Sequence, residues 1–300
     1  MIAPANISRT LDQQSWEFEK PVRGGVVVGV DGSRESVAAL NTAAAIARIK
    51  RCALHAVSVL QRAVSQDESE ALRVSLRSSE LSELLTALEP GANWSSEVAV
   101  GRPARALAEI AERRGAELIL LGQRRHGTMD RILGSETTLQ VMRMTSVPVL
   151  AVEAEIDKPR TIVAAVDFSP SSVRAAKVAL ELLRMNGSGS LYLVFVEPPA
   201  DFSANLFRSA EETRFPGDVV VWFRRFVDSL GPHPGILVEP VVLSGRAVTA
   251  VAEFAERVGA DLIAAGSHNH GRFERLLLGS VSTGLVRDAG CPVLVVPPGS

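Results

Sequence analysis

Three hundred residues leave room for about two ordinary domains, each with enough chain to bury a core. Apolar residues make up 46% and charged residues 22%, which excludes global disorder, a collagen-like rod and a long coiled coil. Thirty-two basic against thirty-four acidic side chains leave a net charge of −2, so no bulk attraction to nucleic acid is expected and any anion site must be local.

Residues 1–21 read as an N-terminal extension. Met1 to Lys20 lacks a basic stretch followed by an apolar one, and no run in the chain approaches the roughly 18 apolar residues of a spanning helix, so a cytosolic protein without a membrane partner is expected. From residue 22 short apolar runs alternate with longer segments of helical period, the pattern of βαβ units around a parallel sheet. Strands are expected near 25–31, 52–60, 95–100, 117–122 and 148–152, with helices near 34–49, 67–88, 103–114 and 135–145. Ser33 is a suitable N-cap for the first helix. The second half repeats this order, with strands near 161–167, 189–196, 236–243, 261–266 and 292–296, and Ser169 followed by Pro170 at its first helix start. Val219-Val-Val-Trp-Phe223 has strand composition but continues with helical spacing to Leu230, and is read as helix. Cys52 and Cys291 sit in apolar runs as small buried residues, too few for a disulfide framework or a zinc cluster and in keeping with a reducing cytoplasm.

The halves are copies of one another. Val26-Val-Val-Gly-Val-Asp31-Gly-Ser33 returns as Ile162-Val-Ala-Ala-Val-Asp167-Phe-Ser169, an offset of 136. Gly101-Arg102 returns as Gly245-Arg246, Gly122 as Gly266 and Gly134-Ser135 as Gly279-Ser280, at offsets of 144, 144 and 145. The terminal strands Val147 to Val152 and Cys291 to Val296 also match. A duplication explains this, with domains over 22–153 and 161–297 joined by the polar, Pro-containing linker 154–160. The expected fold is α/β: two tandem, doubly wound, five-stranded parallel-sheet domains of Rossmann-like type.

Doubly wound sheets bind ligands beyond the carboxyl ends of the strands, where strand order reverses. Asp31 and Asp167 close the first strands, Val59 and Val196 lie near the ends of the second, and glycine-containing loops follow the fourth. In the second half that loop runs from Gly266 through His268, Asn269, His270, Gly271, Arg272 and Arg275 to Gly279 and Ser280. Glycine lets backbone approach a ligand, Gly279-Ser280 opens a helix whose free N–H groups attract phosphate oxygens, and the arginines add positive charge. A carboxylate at Asp167 suits the base or ribose of a nucleotide rather than its phosphates.

With these residues the chain resembles a tandem universal stress protein over residues 22 to 297. Nucleotide-binding members of that family carry Gly-x2-Gly-x9-Gly-Ser/Thr after strand four and an Asp closing strand one. Gly266, Gly279 and Ser280 match at the required spacing, and Asn269 stands at the middle glycine. In the first half Gly122, Gly134 and Ser135 remain, but Arg125 takes the middle position and the loop is one residue shorter. The resemblance implies ATP or a related adenine nucleotide, with or without Mg²⁺, bound mainly in the second half by Asp167, Val196, Gly266, His268, Asn269, Gly271, Arg272, Gly279 and Ser280. Asp31, Val59, Gly122, Gly134 and Ser135 are the weaker first-half counterparts. The position of Val59 and Val196 offers backbone groups to adenine in such proteins. The resemblance also implies pairing through the last strands, here 147–152 and 291–296, as an intrachain pseudo-dimer, and leaves a homodimer of whole chains open.

Competing chemistries are weaker. Gly266 and Gly271 have P-loop spacing, but Arg272-Phe273 replaces the Lys-Ser/Thr. The His-Asn-His-Gly string at 268–271 is similar to the His-rich signature of nucleotidylyltransferases, yet it follows the fourth strand of its half where theirs follows the first. His268 and His270 could face a cation, although zinc asks for at least three protein ligands. Arg124-Arg125-His126 lacks the interleaved aromatics of a nucleic-acid contact. No Gly-x-Ser-x-Gly elbow occurs, and Ser33, Ser135, Ser169 and Ser280 are expected as helix caps. No general base or Mg²⁺ ligand pair stands out, so binding or slow hydrolysis by a regulatory switch with an unidentified protein partner is expected, against a ligand-free tandem scaffold as the alternative.

Overall fold

A computed structural model of the chain describes residues 24–61, 69–123, 134–197, 219–267 and 278–298. Its strands are β1 (Val26–Gly29), β2 (Leu54–Leu60), β3 (Ser95–Val100), β4 (Leu118–Gly122) and β5 (Val149–Val152), then β6 (Thr161–Ala165), β7 (Gly189–Glu197), β8 (Ile236–Ser244), β9 (Leu262–Gly266) and β10 (Val293–Val296). The helices are α1 (Arg34–Lys50), α2 (Ser69–Leu88), α3 (Pro103–Arg114), α4 (Gly134–Met144), α5 (Pro170–Arg184), α6 (Val219–Leu230), α7 (Ala247–Arg257) and α8 (Ser280–Asp288). Each half has the doubly wound order expected of it, and α6 is helical over the segment whose composition also suited a strand.

All ten strands form one sheet in the order β3-β2-β1-β4-β5-β10-β9-β6-β7-β8. Neighbours are parallel within each half, and the halves meet through the antiparallel pair β5–β10, the terminal strands expected to join them. Helices cover both faces. Val26, Val28, Leu120, Leu150, Ile162 and Leu294 point to the layer of α1, α2, α5 and α6. Val27, Ile119, Val149, Val163 and Val293 point to the layer of α3, α4, α7 and α8. Both faces being dry explains why the strands read as continuous apolar runs rather than alternating ones.

The helix starts follow from local chemistry. Ser33 caps α1 by accepting from Ser36 N–H at 3.1 Å, and Ser169 caps α5 by accepting from Ser172 N–H at 3.2 Å, with Pro170 at the first helical position. Three expectations are corrected. Ser135 does not hold the N-cap position of α4, because that helix already begins at Gly134. Ser280 does not cap α8: Gly279 holds the N-cap position and Ser280 is the exposed first helical residue. Cys52 and Cys291 are half-buried rather than buried, because each lies in the turn ahead of its strand.

The segment between β5 and β6 does not hang free. Ile156 N–H donates to Thr42 Oγ1 at 2.9 Å and Asn41 Nδ2 to Glu155 Oε2 at 2.8 Å, so it is tied along α1. Among the described residues no helix is long and apolar enough to cross a membrane.

Candidate functional site

Strand order reverses between β1 and β4 and again between β6 and β9, so each half opens one crevice at its carboxyl edge. β6 ends at Ala165, and the last bond on its β7 side runs from Val166 N–H to Val194 O at 2.9 Å. Asp167 therefore lies just past the strand rather than in it. Its Oδ1 accepts from Ser169 N–H at 3.0 Å, the turn that delivers the chain to the α5 cap. Val196 continues β7 two residues beyond Val194, so its N–H and C=O point toward the same side, past the end of β6 and into the crevice. The first half is built alike: Val30 N–H donates to Val57 O at 2.8 Å, Val59 lies two residues on, and Asp31 Oδ1 accepts from Ser33 N–H at 2.8 Å. Burial works to raise the Asp31 pKa, but the hydrogen bonds from Ser33 and Ser36 outweigh it and hold the carboxyl below its ordinary value.

The glycine ending each fourth strand has a packing reason. A Cβ on Gly122 would lie 2.4 Å from Ser36 N and 2.5 Å from Glu35 C; one on Gly266 would lie 2.7 Å from Ser171 Oγ and 2.8 Å from Ser171 C. The N-terminal turns of α1 and α5 press directly onto these strand ends. The first glycine of the loop motif is thus required by the fold before any ligand is considered.

After Gly266, Ser267 N–H donates to Val296 O at 2.9 Å, and Ser267 O accepts from Gly279 N–H at 3.0 Å. That second bond closes the loop at its base and sets the start of α8 against the end of β9. Gly279, lacking a side chain, cannot cap the helix, so its first-turn N–H groups are left for another acceptor. Asp167, Val196, Gly266, Gly279 and Ser280 gather around this crevice. His268, Asn269, His270, Gly271 and Arg272 lie outside the described residues, as does Arg125. Gly134 and Ser135 begin α4.

The two crevices differ in ways that residue order does not show. In the first, Arg77 of α2 reaches under the β1–α1 turn, donating from Nε to Ser58 Oγ at 2.9 Å and from Nη2 to Val30 O at 3.2 Å, beside Gly32 at φ +90°. In the second, Phe168 replaces that glycine at φ +60° and packs its ring on Phe195, Trp222, Phe223 and Phe226 at centroid distances of 5.1–6.1 Å. Arg77 has no signal in sequence, because its partners lie 19 and 47 residues away.

Two further features lie outside the crevices. A cleft of about 580 Å³ runs along the linker, where Glu35, Glu153, Glu155, Asp157 and Asp261 outnumber Arg34 and Lys158, a lining that repels phosphate. At the β2–β3 edge His55 is buried between Ser95 Oγ at 2.8 Å and Glu97 Oε2 at 3.3 Å, and Glu97 also accepts from Arg113 at 2.8 Å. No group of three or more His, Cys, Asp or Glu side chains among the described residues is arranged to hold a metal ion.

Comparison with known proteins agrees with this architecture. The universal stress protein family model matches residues 24–153 and again 158–297. Universal stress protein Rv2005c of Mycobacterium tuberculosis is 27% identical over 297 residues, covering 90% of this chain and 96% of its own. Universal stress protein MJ0531 of Methanocaldococcus jannaschii is 32% identical over 143 residues, 46% of this chain and 81% of its own. The crystal structure of a universal stress protein from Archaeoglobus fulgidus shares the fold at a TM-score of 0.68 and 21% identity, covering 94% of this chain and 100% of that one. A repeated doubly wound domain, two matched crevices and a double family match lead to one conclusion: the chain belongs to the universal stress protein family and carries its domain twice.

Proposed function

We propose that this protein binds ATP or a related adenine nucleotide in the crevice of its second half and acts as a nucleotide-responsive regulatory switch in the cytoplasm. The observation that carries the reading is the bond from Gly279 N–H to Ser267 O, which holds the side-chain-free N-terminus of α8 against the end of β9. Phosphate oxygens would accept from the first-turn N–H groups there, favoured by the helix dipole, with Mg²⁺ carried by the phosphates. Val196 would offer its outward N–H and C=O to adenine. Asp167 Oδ2, without a hydrogen bond among the described residues, would accept from the ribose or base. His268, Asn269, Gly271 and Arg272 are assigned to the same site by resemblance.

The first crevice is the weaker one. Its candidates are Asp31, Val59, Gly122, Gly134 and Ser135; Gly122 packs against Glu35, which lines the acidic cleft, and Arg125 stands at the loop's middle glycine. The switch works by occupancy, with at most slow hydrolysis: a nucleotide that touches two strand ends and α8 orders the surface a protein partner reads.

Calorimetric titration of the full chain with ATP tests the proposal. One dominant site is expected, weakened about 10-fold or more by Asp167→Ala and little by Asp31→Ala. Absence of adenine-nucleotide affinity at millimolar concentration overturns it, as does equal loss in the two variants. Mass spectrometry of small molecules released from the denatured protein identifies the native ligand.

A further inference from the structure

The outer edge of the first domain, away from both crevices, brings a serine, a histidine and a glutamate into line. The register of β2 and β3 sets Ser95 opposite His55 and Glu97 opposite Val57, so the three side chains share the face on which Val57 packs with α3. Ser95 Oγ lies 2.8 Å from His55 Nδ1, and His55 Nε2 lies 3.3 Å from Glu97 Oε2. Burial works to raise the Glu97 pKa, but the hydrogen bonds and charge of Arg113 at 2.8 Å prevail and keep it ionised, with Arg114 3.7 Å away. An ionised carboxylate only accepts, so the imidazole hydrogen belongs on Nε2 and the lone pair on Nδ1 takes the Ser95 hydroxyl. Burial, aided by Arg114, keeps the ring neutral at neutral pH.

Exposure follows the order that nucleophilic chemistry needs. Ser95 is exposed, the imidazole is buried behind it, and Glu97 is half-buried. β3 is also the outermost strand of the sheet. Its ladder to β2 ends with Gly101 N–H donating to Leu60 O, and the same parity turns the N–H of Ser95 and Glu97 inward. The N–H of Ser96 therefore points out from the edge, beside the Ser95 hydroxyl and without a strand to bond. It is placed as a donor for the oxygen of a carbonyl under attack at Ser95.

We propose that these residues form an acyl-transfer site, with Ser95 as nucleophile, His55 as general base and Glu97 as the residue that positions the imidazole. Ser95 Oγ attacks the carbonyl carbon of an ester while its proton passes to His55 Nδ1. The tetrahedral adduct expels the alkoxide, which takes that proton and leaves as the alcohol. Water, activated by the same nitrogen, then releases the carboxylic acid and restores the hydroxyl. Ser95 stands at the surface, so the substrate is one that presents its carbonyl from solvent, a small carboxylic ester. The proposal is independent of the nucleotide reading.

The test treats the full chain with a fluorophosphonate, which phosphonylates serines activated by a neighbouring base, and maps the label by mass spectrometry; hydrolysis of p-nitrophenyl acetate is followed in parallel. One label at Ser95 is expected, and both label and ester hydrolysis are lost in Ser95→Ala, a change at an exposed position. Both rates fall about 100-fold in His55→Gln. In the wild type they decline as the pH drops below 6.5, because the imidazole takes up a proton against Arg113 and Arg114 of α3 and with Glu97 of β3. Glu97→Gln removes the attraction for that proton, so the decline moves to lower pH, and the rate at neutral pH falls about 10-fold or more; loss of packing alone would leave the decline in place. An unlabelled Ser95, or other serines labelled as fast, overturns the activated nucleophile. Ester hydrolysis unchanged in Ser95→Ala overturns the acyl transfer. Rates unchanged in a folded His55→Gln, or wild-type rates that do not fall below pH 6.5, overturn His55 as the base, and the second readout needs no variant to fold.

Discussion

Leu150 and Leu294 lie directly opposite each other in the antiparallel pair β5–β10, and they are the same position of the two repeats. The pseudo-twofold axis of the molecule passes between them. Each is almost wholly buried in the layer shared by α1 and α5, so the junction of the halves is a continuation of the core rather than a contact between two finished surfaces. Leu150→Ala and Leu294→Ala are each expected to cost about 2–5 kcal/mol. Because the side chains are direct cross-strand neighbours, the double variant should differ from the sum of the singles by about 0.5 kcal/mol or more in chemical denaturation; strict additivity would mean that the halves do not share a core at this point.

The glycines ending β4 and β9 separate a packing role from a ligand role. Gly122→Ala and Gly266→Ala are expected to destabilise the ligand-free protein by about 1–3 kcal/mol through overpacking. Gly122→Ala should be the worse, since its Cβ would strike backbone at 2.4 Å, against 2.7 Å to a hydroxyl for Gly266. Thermal unfolding without nucleotide is the measurement, and unchanged midpoints would leave the glycines to be explained by ligand alone.

Phe168 sits in the left-handed region where the first repeat has Gly32. Phe168→Gly relieves roughly 1 kcal/mol of backbone strain but forfeits the packing of a half-buried ring on four aromatic neighbours. A net loss of about 1–3 kcal/mol is expected in urea denaturation. A more stable variant would show that strain, not packing, dominates the turn.

The His55 cluster is expected to make the protein acid-labile. Burial lowers the His55 pKa from its ordinary 6.5, with the charge of Arg114 adding to this and Glu97 opposing it. The folded state therefore holds a neutral imidazole that the unfolded chain would protonate first. Stability from this group is complete above pH 6.5 and declines as the pH falls toward and through the folded value. Glu97 acts at lower pH: burial raises its pKa, but the hydrogen bonds and charge of Arg113 prevail and hold it below 4.5, so its contribution is present above that value and lost on further acidification. Unfolding midpoints of the wild type should drop as the pH falls below 6.5, and His55→Gln should flatten that slope. Parallel slopes would assign the acid sensitivity elsewhere.

Much of this architecture is legible from residue order because local rules and tertiary packing agree. Ser33 and Ser169 cap the helices they precede, Pro170 starts a helix where its missing N–H costs nothing, and apolar runs of four to seven residues become strands covered on both faces. The repeat of Asp31 as Asp167 and of Gly122 as Gly266 locates both crevices. The departures have the same origin. Serine is a common N-cap, which is the reason to expect one at Ser280, yet the N-cap position falls to Gly279, whose N–H is held by Ser267 O. The apolar neighbours of the cysteines suggest burial, yet each cysteine lies a residue or two outside its strand.

Sequence by itself determined the duplication, the strand and helix order and the place of each crevice, since these depend on periodicity and on residues close together along the chain. Tertiary structure alone decided why Gly122 and Gly266 tolerate no side chain, that Arg77 occupies one crevice and an aromatic cluster the other, and that Gln123 reaches across to Val286. Those facts join positions up to 163 residues apart, and only the stacking of ten strands into a single sheet brings them within reach of one another.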